Sequence, residues 1–268
     1  MTRVFRPRAM ARRAAVAALM LFGAAAKARA AEPACPSVAA RHVDLPATRA
    51  ALAAGRPLTI VAFGSSSTEG AGATSPDRTY PARLAVFLRD RWPRVALTLL
   101  NRGVGGQTIE AMVARLETDV LSQKPTLVVW QAGANDAMRG ADPVRFGALL
   151  DDGVRRIAAA GGDLILMDNQ IAPRLPATPA FAVYGTLLAR AAVARSVSLF
   201  SRTALMRDWG SAGGTAGAPG PEMIGRDGLH HTDLGYACLA ESLGQAIVTA
   251  SGRIAPPSLH AGEPRGSR

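Results

Sequence analysis

The stretch LTIVAFGSSSTEG, residues 58–70, joins an apolar run to a cluster of three serines and a threonine. Its first six residues are mostly apolar and rich in β-branched side chains, which predicts a short buried strand. Gly64 ends that run, and the polar cluster predicts a turn into the next element. A cluster of serines usually belongs to an inert loop, so a chemical role for one of them needs partners elsewhere in the chain.

The sequence on the C-terminal side alternates between apolar runs and amphipathic segments in the same way. Continuously apolar strands that alternate with helices predict a parallel sheet covered by helices on both faces. We find no internal repeat and no boundary that would divide residues 58–250, so these residues are expected to form one domain after a lead segment at 31–57. Further strands are predicted at 95–100, 126–130, 164–167 and 197–200, and helices at 80–91, 108–122 (capped by Thr108), 143–160, 180–194 and 234–249, with a frayed tail at 251–268.

The first thirty residues have the pattern of a secretory signal peptide. Five arginines lie in the first 13 residues, a 13-residue apolar stretch follows at 14–26, and Ala28-Arg29-Ala30 is an A-x-A cleavage site. The apolar stretch is too short for a stable spanning helix, which needs about 20 residues. We therefore expect cleavage near Ala30, a secreted or periplasmic product and no stable membrane anchor; the Arg12-Arg13 pair leaves both general and twin-arginine export open.

The charge of the chain changes when the signal peptide is removed. The full sequence has a formal charge of +11, but residues 1–30 hold seven of its Lys and Arg residues and no acidic residue, so the remainder carries +4. A charge of +4 without a dense basic run argues against nucleic acid as a partner. Two cysteines remain, Cys35 and Cys238. In an oxidising compartment they could form a disulfide, or they could be two unrelated buried thiols.

Polar residues follow each of the first three predicted strands. In open α/β sheets the functional site lies at the carboxyl ends of the strands. Ser66 follows the first strand in GSSST, Gly106 follows the second in NRGVGGQT, and Asn135 follows the third in QAGAND. Asp227 and His230 lie three residues apart, just before the last helix. These five residues are therefore candidates for a single site.

The residue types in this set suit acyl transfer. A serine on a strand-to-helix turn supplies a hydroxyl nucleophile and its own backbone N–H group. A histidine can take the proton from that hydroxyl, and a carboxylate three residues earlier can orient its ring. The N–H of Gly106 and the carboxamide of Asn135 are donors for the negative charge that develops on a carbonyl oxygen.

These four blocks, in this order, resemble the SGNH (GDSL-type) hydrolases over residues 58–249. The resemblance implies a flavodoxin-like three-layer α/β/α sandwich with about five parallel strands. It also implies that Ser66 is the nucleophile, His230 the base and Asp227 its orienting acid. The oxyanion hole would then consist of the Ser66 and Gly106 N–H groups and the Asn135 side chain.

The first block departs from the family pattern, because Ser65 stands where Gly-Asp-Ser has its aspartate. That aspartate is not the acid of the triad, so the mechanism is unaffected, although the hydrogen bonds of the turn can differ. Ser65 and Ser67 are expected to be turn or capping residues. The alternative α/β-hydrolase fold is disfavoured, because its nucleophile motif G-x-S-x-G would need glycine in place of Thr68.

The sequence therefore predicts a secreted serine esterase that removes short acyl groups, such as acetyl, from small esters or polysaccharides. Two alternatives stay open: an O-acyltransferase acting on envelope sugars, and a non-catalytic polysaccharide-binding module. No metal-ligand cluster or phosphate-binding motif is found, so no cofactor or metal is expected. Asn169 and Gln170, after the fourth strand, are candidate substrate contacts. His231 is expected to be solvent-exposed or to support the site, Asp136 to brace its turn, and residues 209–220 to form a flap or a solvated loop.

Overall fold

The computed structural model describes residues 34–175, 179–212, 220 and 222–252. The predicted signal peptide and nearly all of the predicted tail lie outside these residues. The described elements alternate between strands and helices as expected. They are α1 (Pro46–Ala53), β1 (Leu58–Gly64), α2 (Ser66–Glu69), α3 (Tyr80–Arg91), β2 (Leu97–Gly103), α4 (Ile109–Ala114), α5 (Leu116–Asp119), β3 (Leu127–Gln131), α6 (Ala134–Met138), α7 (Pro143–Ala159), β4 (Asp163–Met167), α8 (Pro179–Ala194), β5 (Ser198–Phe200), α9 (Arg202–Ala212) and α10 (Asp233–Ser251), with short 3-10 turns at Pro76–Arg78 and Leu121–Gln123.

The five strands form one parallel sheet in the order β2-β1-β3-β4-β5. Side chains of β1 alternate between its two faces, as in any strand. Ile60 and Ala62 pack with α1, α3, α9 and α10, whereas Val61 and Phe63 pack with α4, α5, α7 and α8. The predicted three-layer α/β/α sandwich is therefore confirmed, and all strand carboxyl ends lie along one edge of the sheet.

The lead segment contains the helix α1, which the sequence pattern does not predict. Pro46 occupies the first turn of α1, and the backbone N–H groups of Ala47 and Thr48 donate to the Asp163 carboxylate at 3.0 and 2.7 Å. A carboxylate at a helix N-terminus satisfies N–H groups that have no partner within the helix. Cys35 is bonded to Cys238 in α10, so the open question about these cysteines is resolved in favour of a disulfide.

The prediction of one continuous helix at 108–122 is wrong, because this segment forms two short helices, α4 and α5, followed by a 3-10 turn. The break occurs at Arg115, whose guanidinium lies 4.4 Å from the centre of the Phe63 ring. Its Nη1 donates to the carbonyl of Arg102 at 2.9 Å and its Nη2 to that of Gly64 at 3.0 Å. The Arg115 side chain thus binds the ends of β1 and β2 at the point where α4 ends.

Candidate active site

The turn after β1 presents Ser66 as the first residue of α2. The backbone N–H groups of Thr68 and Glu69 both donate to the carbonyl of Ser65, which tightens this turn. Gly64 and Gly103 make the close packing possible. A Cβ at Gly64 would lie 2.3 Å from Oγ1 of Thr68, and one at Gly103 would lie 1.9 Å from the backbone nitrogen of Glu69. Both positions therefore require glycine.

Ser66, His230 and Asp227 form a continuous hydrogen-bonded row. Nε2 of His230 is 2.8 Å from Oγ of Ser66, and Nδ1 is 2.5 Å from Oδ2 of Asp227. If Nδ1 carries the proton it donates to the carboxylate, and Nε2 is then free to accept the serine proton. The structure thus brings together three residues that are 164 and three positions apart in the chain.

The Asp227 carboxylate is held in its ionised form. Burial by itself would raise its pKa, but the backbone N–H of Leu229 and the ring and backbone N–H groups of His230 donate to it, and together they lower the pKa below its usual value. Both backbone bonds measure 3.0 Å. Hydrogen bonds to a carboxylate favour its charged form, so this residue can stabilise a positive charge on the histidine ring.

The loop that carries His230 is fixed by several bonds to its backbone. Gly225 donates to the carbonyl of His230 at 2.8 Å, and the N–H of Arg174 donates to the carbonyl of Gly228 at 2.9 Å. Nε2 of Gln170 donates to the carbonyl of Leu229 at 3.1 Å. Gln170 and Arg174 belong to the segment after β4, so two of these bonds tie the position of the histidine loop to the sheet.

The loop after β2 lies against α6 and carries Gly106. Nδ2 of Asn135 donates to the carbonyl of Gln107 at 2.9 Å, and Nη2 of Arg139 donates to that of Gly106 at 2.8 Å. Gly106 has a φ of 73°, a left-handed conformation that favours glycine. Asn135 uses one of its two side-chain N–H groups in this contact. The two predicted oxyanion donors, Gly106 and Asn135, are therefore neighbours in the fold.

Asp136 braces the same loop. Its carboxylate accepts the N–H of Ile109, at the start of α4, at 3.0 and 3.2 Å. Burial raises the pKa of Asp136, although this bond and the charge of Arg139 partly oppose the rise. The carboxylate also accepts the backbone N–H of Asp136 itself, so it stabilises its own turn as expected and, in addition, the start of α4.

Ser65 takes part in a buried network that the sequence did not predict. Its backbone N–H and its hydroxyl donate to Oε1 of Gln131 at 3.0 and 3.1 Å. The hydroxyl of Thr68 donates to the same oxygen at 3.3 Å. All three partners are donors, and a carboxylate at position 65 would bring a second acceptor against that oxygen. The serine therefore fits a turn whose acceptor is supplied by Gln131.

Of the two proposed substrate contacts, Asn169 and Gln170, the second needs correction. Each residue is only 3% exposed. The carboxamide of Gln170 is bonded at both ends, since its nitrogen binds the Leu229 carbonyl and its oxygen accepts Nη2 of Arg202 at 2.6 Å. Gln170 therefore supports the histidine loop and does not face a ligand. A Cβ at Gly133 would lie 3.6 Å from both the oxygen and the nitrogen of the Asn169 carboxamide, so Asn169 is close to the turn that carries Asn135 and its contact with substrate stays a prediction.

His231 is buried, which corrects the expectation that it could be solvent-exposed. Burial and, to a smaller extent, the nearby charge of Arg202 lower its pKa to about 3. Its Nδ1 lies 3.2 Å from the carbonyl of Met223, and its ring contacts those of Trp209 and Tyr236. The neutral ring supports the backbone at Met223, before the loop that carries Asp227 and His230.

Trp209 is also buried, within helix α9, so the start of the proposed flap is a packed helix. Residues 213–219 of that segment lie outside the described residues. Across the described ranges, no group of three or more His, Cys, Asp or Glu side chains could hold a metal ion. No helix in the same ranges is long and apolar enough to cross a membrane.

The sheet order, the Ser66–His230–Asp227 row and the adjacent Gly106 and Asn135 have the arrangement expected from the resemblance to SGNH (GDSL-type) hydrolases. A model of the Non-GDSL lipase-like family matches residues 32–253. The chain therefore belongs to the Non-GDSL lipase-like family. The match extends across the lead segment, in agreement with the packing of α1 in the core.

Sequence relatives match only part of the chain. It is 43% identical over 79 residues to the uncharacterized lipoprotein YqeF of Bacillus subtilis (strain 168), covering 29% of this chain and 32% of that protein. It is 35% identical over 63 residues to the acetylxylan esterase of Geobacillus stearothermophilus, covering 24% of this chain and 29% of that enzyme. The matches thus span about a third of the length of these curated relatives.

The fold is also similar to that of a solved structure, an acetyl xylan esterase called AlAXEase. The TM-score is 0.62 at 20% sequence identity, and the match covers 71% of this chain and all of the other. At this level of identity the likeness concerns the fold alone.

Proposed function

We propose that this protein is a secreted carboxylic ester hydrolase that removes short acyl groups, acetyl above all, from sugars or small esters. The observation that carries the proposal is the row of bonds from Oγ of Ser66 through His230 to Asp227. A serine hydrogen-bonded to a histidine, which is itself bonded to a carboxylate, is an arrangement that suits nucleophilic acyl transfer.

The proposed reaction has two halves. Nε2 of His230 takes the proton from Ser66 as Oγ attacks the ester carbonyl, and the resulting imidazolium is stabilised by Asp227. The tetrahedral oxyanion accepts hydrogen bonds from the Ser66 and Gly106 N–H groups and from Asn135. The imidazolium then protonates the departing alcohol. In the second half, His230 activates water, which releases the acid and restores the serine.

Four observations support the finer parts of the proposal. The Cys35–Cys238 disulfide fits an oxidising compartment, as does the predicted signal peptide at residues 1–30. The similarity to an acetylxylan esterase favours acetyl esters of polysaccharide among possible substrates. Among the described residues, few aromatic side chains are exposed that could cover a long acyl chain.

The test is a screen of 4-nitrophenyl esters of increasing acyl length together with acetylated xylan and mannan. We expect kcat/KM to be highest for acetyl, and acetate to be released from at least one polysaccharide. The Ser66→Ala variant should lose activity on every ester, and a fluorophosphonate should label the wild type alone. Transfer of acetyl to an added sugar faster than hydrolysis would identify an acyltransferase, and absence of labelling would contradict a serine enzyme.

A further inference from the structure

A groove lies beside α2, the helix that begins with Ser66, and none of its lining residues has a role in the proposed reaction. Its volume is about 460 Å³, and it opens next to the last turn of α2. The short loop that follows α2 forms most of its wall, and Asn101 of β2 closes one side. It is lined by Glu69, Gly70, Ala71, Ala73, Thr74, Ser75, Pro76, Thr79 and Asn101.

Glu69 directs this groove towards the nucleophile. It lies three residues after Ser66, a spacing that puts two helical side chains on one face. A Cβ at Gly105 would lie 2.8 Å from Oε2 of Glu69 and 3.9 Å from Cβ of Ser66, so the carboxylate and the serine flank the same glycine. Glu69 is exposed, and no described side chain forms an ion pair or hydrogen bond with its carboxylate. The mechanism above gives it no role.

The hydroxyl groups along the groove have already used their protons. Oγ1 of Thr74 donates to Asp233 at 2.5 Å, and Oγ of Ser75 donates to Asp77 at 2.6 Å. Oγ1 of Thr79 donates to the carbonyl of Pro76 at 3.0 Å. What these groups can still offer to a ligand is lone pairs, as does the carboxylate of Glu69. The groove therefore suits a ligand that supplies several hydrogen-bond donors.

We infer that this groove binds the alcohol part of the ester, that this part is a polyhydroxylated sugar, and that Glu69 accepts hydrogen bonds from its hydroxyl groups. The inference rests on the ester hydrolysis proposed above and names the substrate class of the same site. The negative charges of Glu69 on the wall of the groove and of Asp233 beside Thr74 disfavour an anionic sugar. No aromatic side chain lines the groove, so the sugar is held by hydrogen bonds and not by stacking on a ring.

The experiment compares two acetyl esters whose alcohol parts differ. One is a partially acetylated xylo-oligosaccharide with free hydroxyl groups, and the other is 4-nitrophenyl acetate, which has none. Glu69→Ala should lower kcat/KM on the oligosaccharide about tenfold, mainly through KM, because a hydrogen bond to a charged group is lost. The same variant should change kcat/KM on 4-nitrophenyl acetate less than threefold. Glu241→Ala removes an exposed carboxylate from α10 that has no ion pair among the described residues, and it is the matched control.

Three results would overturn the inference. Equal losses on both esters would mean that Glu69 affects the chemistry or the fold, and no loss on either would mean that the sugar lies elsewhere. A loss confined to a cationic ester such as acetylcholine would mean that the carboxylate selects positive charge.

Binding separates this inference from the proposed function. In the Ser66→Ala background, calorimetry should detect the acetylated oligosaccharide, and adding Glu69→Ala should weaken its affinity about tenfold. A wild-type protein that hydrolyses no ester but binds the sugar through Glu69 would contradict the proposed function alone. A wild-type protein that hydrolyses esters while its affinity for the sugar is unchanged by Glu69→Ala would contradict this inference alone.

Discussion

At the scale of single residues, the three consecutive serines after β1 have three different environments. Ser66 is hydrogen-bonded to His230, Ser65 donates to Gln131, and Ser67 is buried beneath the turn. The register of the turn, and not the hydroxyl group itself, distinguishes them. This difference makes the assignment of the nucleophile testable within the motif.

Substitution of neighbouring serines should separate chemistry from stability. Ser66→Ala should lower kcat on 4-nitrophenyl acetate by at least about 10³-fold, because the nucleophile is removed. Ser65→Ala should keep kcat within about threefold and lower the free energy of unfolding by about 1 kcal/mol, the usual loss for one hydrogen bond. Steady-state kinetics and urea unfolding measure both effects. Loss of activity in Ser65→Ala with full activity in Ser66→Ala would reverse the assignment.

The candidate catalytic residues could be predicted from the sequence, but the buried residues that hold their loops in place could not. Ser66, Asp227 and His230 lie in short motifs whose spacing is itself the signal. Gln131 and Arg202 have no such signal, because their partners are brought to them by other strands of the sheet. Gln131 is the last residue of β3 and is fully buried. Its polar side chain at the end of an apolar strand was the one indication of its role in the sequence.

The buried His231 should make stability depend on pH. Its pKa is about 3 in the folded protein, against 6.5 for the free side chain. The unfolded chain therefore binds the extra proton between these values, so stability is complete above pH 6.5 and falls as the pH decreases towards 3. His231→Asn retains a donor for the Met223 carbonyl but does not titrate. Between pH 7.5 and 4.5, we expect the variant to lose about 3 kcal/mol less unfolding free energy than the wild type.

Urea unfolding at the two pH values measures this difference. All other titratable groups are common to both proteins, so their contributions cancel in the comparison. Equal losses in the wild type and His231→Asn would mean that His231 is not held neutral by burial.

At the scale of secondary structure elements, the short helix α6 fixes the loop after β2. Asn135, Asp136 and Arg139 each bind a backbone group of residues 106–109. The helix is only five residues long, and its sequence, ANDAM, is too short to show a helical spacing of apolar residues. The role of α6 depends on the sheet order, because β2 and β3 lie on either side of β1 and bring the loop after β2 next to α6.

Arg139→Gln should impair catalysis by releasing the Gly106 carbonyl. The shorter side chain cannot make the 2.8 Å bond, so the Gly106 N–H is less well aligned with the oxyanion. We expect kcat to fall about tenfold with KM nearly unchanged, a smaller loss than the roughly 10²–10³ typical for removal of a donor such as Asn135. Arg145→Gln, which removes an exposed partner of Glu110, is the control. A change in KM alone would assign Arg139 to substrate binding.

Helix boundaries show where periodicity was insufficient. The apolar spacing at 108–122 correctly identified a buried face, since Ile109, Met112 and Leu116 are in the core. It could not predict the break at Arg115, whose guanidinium binds carbonyl groups at the ends of two strands. A residue whose side chain bonds to distant backbone gives no local signal.

At the scale of the whole molecule, the N-terminal lead and the last helix hold the two ends of the domain together. Leu45 and Leu52 pack in the same core as α10, and Arg41 forms an ion pair with Asp208 of α9. The sequence suggested a disulfide there but could not decide it, because the distance between Cys35 and Cys238 depends on how the whole sheet is wound.

Removal of that disulfide should destabilise the fold without removing any group of the active site. The bond joins positions 203 residues apart, so it closes nearly the whole domain into one loop and restricts the unfolded chain. The chain-entropy model puts a loop of this length at about 5 kcal/mol, and removal of a native disulfide typically costs about 2–5 kcal/mol, so we expect a loss in that range in the Cys35→Ala/Cys238→Ala variant. Urea unfolding without reductant measures the loss, and added reductant should lower the stability of the wild type but leave the variant unchanged. Alkylation of both cysteines in the native, unreduced protein would show that the bond is absent, and the stabilisation would then have to come from packing of the lead segment alone.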